Sequence, residues 1–400
     1  MKYNQYSISF VICNKMSNLA KPKRPYFSSG PCVKRPGWSL NALQNALVSR
    51  SHRAAVSLKR IQEVVSKTKS ILKIPNDFHV GIVPGSDTGA VEIALWNLLG
   101  PKGVDVFGWE AFSNGWISDV VEELKIEDVR TFKAEYGNIP DLTKADFTRD
   151  VVFTWNGTTS GVCVPNANWI SANREGLTIC DATSAVFAMD IDWSKIDVLT
   201  FSWQKCMGGE AAHGVLIMSP RAVQRLESHP PKRAMPKLFN IMKGNKVNLS
   251  IFDGSTINTP SMLCVEDALD SLKWIESIGG VDACIAQGKQ KLDLFKAWIK
   301  KSGKYALLAK SDDIASTTSV CLKIDTEFYN ALEAKKQGEF AKAVASYLEA
   351  NEIALDAASY RDAPAGIRIW CGATVEASDI ELLLPWLDIA YDEAVKKLSN

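Results

Sequence analysis

The chain has 400 residues, is 46% hydrophobic, and carries 46 Lys plus Arg against 45 Asp plus Glu, a formal charge of +1. So even a balance excludes a broad basic field for nucleic acid, and any bound anion must be held by local groups. Nine scattered cysteines without a Cys-x-x-Cys pair predict reduced thiols in a cytoplasmic compartment, and no apolar run reaches the roughly 20 residues of a membrane span.

Residues 1–20, with YSISFVIC and a second methionine at Met16, are expected to form an N-terminal extension outside the fold. From Ser39, SLNALQNALVS has helical spacing. A second helix follows, in which Leu58, Ile61, Val64, Val65, Thr68 and Leu72 recur at three and four residues. HVGIVPGSDTGAVEIALWNLLG (79–100) reads as a strand, a Pro-Gly loop, a helix from near Thr88 and a stop at Gly100. GVDVFGW is the next strand and NGWISDVVEELK the next helix. DVVFTWNGTTSGV is a strand entering a Gly/Thr loop; GLTICDATSA ends a strand at Asp181, IDVLTFSWQ ends one at Lys205, and GVLIMS follows. Short, nearly continuous apolar strands alternating with helices predict an α/β fold with a mostly parallel sheet covered on both faces.

Around 225–260 the texture changes: Pro230, Pro231 and Pro236 break regularity, and GSTINTPSML opens a long helix carrying Leu269, Leu272, Ile275 and Ile278. This divides the chain into a large domain, 21–278, and a smaller α+β C-terminal domain, 279–400, with TSVCLKI and AGIRIWCGATV as strands. No Gly-Ser linker separates the two, so they are expected to pack together.

Sites in open α/β sheets lie at the carboxyl ends of strands. Four predicted ends carry polar or reactive groups: PGSDTG, WNGTTSG, CDATSA and SWQKCMGG. Each alone also reads as a helix cap, a turn or a solvated strand end. Together, with Asp181 and Lys205 in this order, they suit pyridoxal phosphate chemistry. That chemistry needs a partly desolvated lysine amine able to form a Schiff base, and a carboxylate that keeps the pyridine nitrogen protonated. Ser86, Asp87 and Thr88 at a helix N-terminus are placed to hold the cofactor phosphate through hydroxyls and amides, with Asp87 acting by backbone or cap because its charge has the wrong sign. His79, His213 and His229 lack the spacing of metal ligands, so no metal is expected.

FSSGP (27–31), SHR (51–53), GSDTGAVEIALWNLLG (85–100), CDATSA (180–185), WQK (203–205) and INTPS (257–261) together resemble the phosphoserine aminotransferase family, fold-type I class V pyridoxal phosphate enzymes. The resemblance runs from about Tyr26 almost to the C-terminus. It implies a seven-stranded sheet, pyridoxal 5'-phosphate as cofactor, and a homodimer with active sites at the subunit interface. By it, Lys205 matches the cofactor-bonding lysine, Gln204 a phosphate contact, Asp181 the partner of the ring nitrogen and Thr158 the partner of the ring hydroxyl. Phe112 matches the ring-stacking aromatic, with Trp109 and Trp116 as neighbours in competing register. Asn258 and Thr259 resemble residues reaching the neighbouring subunit's cofactor phosphate. Arg368 resembles the clamp on the substrate α-carboxylate, and His52, Arg53 and Arg361 are candidates for the substrate phosphate, the first two crossing from the partner subunit. Two departures stand out: the phosphate loop lacks the arginine of many relatives, and Tyr360-Arg361 replaces a His-Arg pair. The implied reaction transfers an amino group between glutamate and 3-phosphohydroxypyruvate in serine biosynthesis, and the family also acts on phosphohydroxythreonine-type substrates of vitamin B6 synthesis. Two other readings of the fold are an alanine–glyoxylate or serine–pyruvate type transaminase, which has no use for the phosphate-directed cations, and a desulfurase-like lyase, which needs a nucleophilic cysteine on a mobile loop.

Overall fold

The computed structural model describes residues 19–399, so the expected N-terminal extension lies outside the described residues except for Leu19 and Ala20. Seven strands form the main sheet: β1 (His79–Pro84), β2 (Val104–Gly108), β3 (Val129–Lys133), β4 (Asp150–Thr154), β5 (Thr178–Asp181), β6 (Val198–Ser202) and β7 (His213–Met218). Their spatial order is β1-β7-β6-β5-β4-β2-β3. Six run parallel; β7 alone is antiparallel to both neighbours, β1 and β6. Strands β2, β4, β5, β6 and β7 are buried along their whole length, as their nearly continuous apolar runs predict. The parallel arrangement brings the ends at Pro84, Gly108, Thr154, Asp181 and Ser202 to one edge of the sheet.

Helices α1 (Ala55–Ile71), α2 (Ser86–Leu98), α3 (Ala111–Ser118), α4 (Pro220–Ser228) and α5 (Met262–Ser277) accompany this sheet. Helix α1 buries Ile61, Val64, Thr68 and Ile71 and packs along α5. Beyond the turn at Ile278 and Gly279, where the second domain was expected to start, α6 (Gly280–Ser302) leads to a three-stranded antiparallel sheet of β8 (Tyr305–Leu307), β9 (Ser319–Ile324) and β10 (Ile367–Trp370). Helices α7 (Ala334–Ala350) and α8 (Ala377–Ser399) complete it. The N-terminal stretch joins this second sheet: Leu355 N donates to Pro25 O (2.8 Å) and Trp370 N to Phe27 O (3.1 Å). It then turns to the main sheet, where Cys32 N donates to Gln204 O (2.8 Å).

Three predicted elements differ. The helix from Ser39 is only a 3-10 turn, Leu40–Leu43, with no side-chain cap and no buried residue, so its spacing finds no face to pack against. Helix α2 starts at Ser86 rather than near Thr88, because Gly85 turns the chain in the left-handed region (φ 84°). Strand β6 stops at Ser202, so Lys205 sits in the turn beyond it and not at its last position.

Lys291 on α6 is 1% exposed and donates to Gly372 O (2.7 Å) and Val375 O (2.8 Å). Burial lowers its pKa to about 8, partly offset by Cys371, Cys206 and Cys284. An unfolded lysine titrates near about 10.4, so between these values unfolding takes up a proton. The contribution of this group to stability is therefore complete above the unfolded value and lost as pH falls through about 8. Denaturant unfolding at pH 8, 9 and 10 should show a stability slope that is more positive in the wild type than in Lys291→Met. Equal slopes would refute the assignment.

Candidate active site

Lys205 is 8% exposed, and its Nζ donates to Ser29 O and stands 5.9 Å from the centroid of Trp370. It makes no ion pair among the described residues. A buried amine held by one carbonyl keeps a lone pair or a proton available to whatever enters the cavity beside it. Space behind the amine is small: a Cβ built on Gly30, whose φ is +151°, would lie 2.7 Å from Lys205 Nζ. Gly30→Ala should therefore displace the amine and slow turnover about tenfold or more, and it should also lower the unfolding midpoint, because a residue with a Cβ is strained at this φ. Steady-state kinetics beside a melting curve checks this, and a wild-type rate would show that the amine tolerates the shift.

Asp181, the last residue of β5, is 6% exposed. One carboxylate oxygen accepts from Trp116 Nε1 (2.9 Å) and the other from Thr183 N (3.0 Å). Burial pushes its pKa up, and Asp87 pushes it the same way. This carboxylate thus faces the cavity without a protein cation, an unfavourable state that a protonated ring nitrogen would relieve. Of the three aromatics in competing register, Phe112 lines the cavity together with Asp87, Thr158, Asp181 and Lys205. Trp109 is fully buried and donates to Val162 O (3.1 Å), while Trp116 serves Asp181.

Thr158 Oγ1 lies 2.5 Å from Ser184 Oγ, and Asn156 Nδ2 donates to Ser184 O (3.1 Å) and Thr318 Oγ1 (2.9 Å). Asp87 Oδ1 accepts from Ser202 Oγ (3.1 Å) and Gln204 Nε2 (2.9 Å). The Asp87 side chain therefore fixes the Gln204 amide, a part that its position in the phosphate loop did not suggest. Ser86 at the first turn of α2 has φ +54°, a strained conformation for a residue with a Cβ. Sequence reasoning missed Thr154, Asn156, Thr183, Ser184 and Glu110, all of which line this cavity. Asn156, Thr183 and Ser184 lie inside WNGTTSG and CDATSA and could have been found there; Glu110 has no sequence signal beyond its place before a helix.

Arg368 on β10 stands 5.7 Å from the Tyr360 ring, which in turn lies 5.6 Å from the Phe112 ring. Arg368 has no ion-pair partner among the described residues, and its Nε is buried without a hydrogen bond. Arg361 is 81% exposed and pairs with Asp362 (3.3 Å). His52 and Arg53 precede α1, and Asn258 and Thr259 precede α5. None of these four lines the cavity of its own chain.

The sequence profile of the family Aminotransferase class-V matches residues 121–369. A phosphoserine aminotransferase of Methanosarcina barkeri is 54% identical over 371 residues, covering 93% of this chain and 98% of that protein. The chain belongs to the phosphoserine aminotransferases. The family's fold is shared by the phosphoserine aminotransferase of Cytophaga hutchinsonii (TM-score 0.77, 20% identity, 92% and 99% of the two chains). It is shared also by a PLP-bound phosphoserine aminotransferase from Trichomonas vaginalis (TM-score 0.73, 16% identity, 91% and 99%). Thr158, Asp181, Gln204, Lys205, Asn258, Thr259, Arg361 and Arg368 fall within the segment matched to the class V family, whereas the α2 loop and Phe112 precede it.

Proposed function

We propose that the chain binds pyridoxal 5'-phosphate and transfers the amino group of L-glutamate to 3-phosphohydroxypyruvate, giving O-phospho-L-serine and 2-oxoglutarate. The observation that carries this reading is the pairing, across one cavity, of a buried lysine amine and a buried carboxylate that both lack protein counter-ions. The surrounding residues also fit the cofactor: Thr154 Oγ1, Asn156 Oδ1 and Thr183 Oγ1, all on residues that line the cavity, are buried without a hydrogen-bond partner among the described residues. Orphaned polar atoms gathered at one site mark a ligand that satisfies them.

Asp181 would hold a proton on the ring nitrogen, Thr158 would meet the ring hydroxyl, Phe112 would cover one face, and the first turn of α2 with Gln204 would hold the phosphate. Bound pyridoxal phosphate supplies an aldehyde for the amino group and a ring that accepts the electrons left when the Cα proton departs. Lys205 Nζ would take and return that proton, as the one lysine among the described residues that line the cavity. Arg368, unpaired and planar, suits a two-pronged grip on the α-carboxylate.

A homodimer completes the reading. Leu40, Val48 and Val56 flank His52 and Arg53, Leu263 follows Asn258 and Thr259, and all four apolar side chains are exposed. Helix α5 packs against both α1 and the Leu40–Leu43 turn, so these residues occupy adjoining elements. An exposed apolar surface beside cations without a local task supports a partner subunit that brings them to its neighbour's site. No helix among the described residues is long and apolar enough to cross a membrane. Cys32, near Lys205, has its pKa pushed up to about 12 by burial, so its thiol is a poor nucleophile for a desulfurase reaction.

Comparing amino transfer from phosphoserine, serine and alanine to 2-oxoglutarate tests the function. Phosphoserine should exceed serine in kcat/KM by about 10²-fold or more, as loss of a charge-paired phosphate costs about 3 kcal/mol. Equal rates would replace this reading by the serine–pyruvate type.

A further inference from the structure

Glu110 is fully buried, lines the cavity, and has no cationic partner among the described residues. It is the N-cap of α3: one carboxylate oxygen accepts from Ser113 N (2.8 Å), and Ser113 Oγ accepts in turn from Trp109 N (2.9 Å) and Glu110 N (3.1 Å). Capping alone calls for a short side chain such as Ser, Thr, Asp or Asn, and burying a carboxyl without a cation is unfavourable. The second oxygen explains the choice. It accepts from Thr159 N (3.2 Å) and Thr159 Oγ1 (2.7 Å), 49 residues along the chain. Thr159 Oγ1 also receives Ala111 N (3.3 Å) and meets Tyr136 Oη (3.1 Å). Only a side chain with two acceptors and the reach of glutamate joins the first turn of α3 to the loop at 156–160 in this way.

The two segments so joined carry three groups of the site. Helix α3 supplies Phe112 to the cavity wall and Trp116 to Asp181, and the loop supplies Thr158. We propose that Glu110 is a positioning residue that locks α3 to this loop, fixing Phe112, Trp116 and Thr158 relative to Asp181. The inference rests on reading the cavity as the pyridoxal phosphate site. Burial raises the Glu110 pKa, the bonds from Thr159 and Ser113 oppose that rise, and Asp181 adds a smaller one.

The test is an absorbance titration of purified apoenzyme with pyridoxal phosphate for wild type, Glu110→Ala, Glu110→Gln and Thr159→Val. Glu110→Ala should weaken binding about tenfold, the equivalent of one or two lost hydrogen bonds. Glu110→Gln, which keeps one acceptor oxygen but turns an NH₂ against a donor, should recover part of the loss. Thr159→Val removes the hydroxyl bridge and leaves the α3 cap, so it should weaken binding about threefold and serves if Glu110→Ala does not fold. Binding within twofold of wild type in both Glu110→Gln and Thr159→Val would overturn the role of Glu110. A wild type that takes up no pyridoxal phosphate would overturn the reading of the site instead.

Discussion

Lys205→Ala should lower kcat for amino transfer by at least about 10⁴-fold while the protein stays folded. In the proposed reaction the amine would be needed twice, to hold the cofactor through its aldehyde between turnovers and to move the proton at the substrate Cα. No neighbour can take over. Among the described residues that line the cavity Lys205 is the only lysine, and no histidine or arginine lines it. The folding cost is small by comparison, because the substitution removes one hydrogen bond, to Ser29 O, from a side chain in a turn. Single-turnover kinetics on the variant loaded with cofactor measures the loss, and a small primary amine added to the assay should restore part of the rate. Activity within tenfold of wild type would remove Lys205 from the mechanism.

Asp181→Asn should lower kcat by about 10²- to 10³-fold, and the apoprotein should be at least as stable as wild type near neutral pH. The catalytic loss follows from charge: an amide cannot hold a proton on the ring nitrogen, and its NH₂ must oppose either Trp116 Nε1 or Thr183 N, both donors. The stability effect has the opposite sign. Burial and Asp87 raise the pKa of Asp181 in the folded apoprotein above the unfolded value of about 3.9. A carboxyl shifted upward contributes stability below the unfolded pKa and loses it as pH rises through the folded one. Asparagine has no such loss. Melting curves of apo wild type and variant from pH 4 to 8 should converge at the acid end, allowing for one weakened hydrogen bond, and separate in the variant's favour as pH rises. A variant that loses stability relative to wild type with rising pH would show that Asp181 is already paired in the apoprotein.

The two residues with the largest expected effects stand at or just after strand ends, and strands of this kind are legible in a sequence. GLTICD and DVLTFS are nearly continuous apolar runs, each interrupted by one threonine, because both faces of a parallel strand are covered, and their ends are marked where the apolar run gives way to polar and small residues. Residues around the cavity were less legible in proportion to how far their partners lie along the chain. Trp116 looked like a candidate for stacking because it sits near Phe112; that its indole faces Asp181, 65 residues away, depends on how α3 lies across the end of β5. The 3-10 turn at Leu40–Leu43 shows the converse. Its helical spacing was real, yet a period without a packed face does not make a helix.

By itself the sequence determined the sheet's mostly parallel character and the family, and it pointed to Asp181 and Lys205 as the residues to test, since these rest on local runs of residues and on motifs kept at fixed spacing. The tertiary structure alone decided which groups meet. It placed Glu110 between α3 and Thr159, bound Asp87 to Gln204, left Arg368 unpaired beside Tyr360, and kept His52, Arg53, Asn258 and Thr259 out of their own chain's cavity. The physical reason is range: an apolar period or a cap is set by residues within a few positions, whereas a buried carboxylate takes its donors from wherever the packed core brings them.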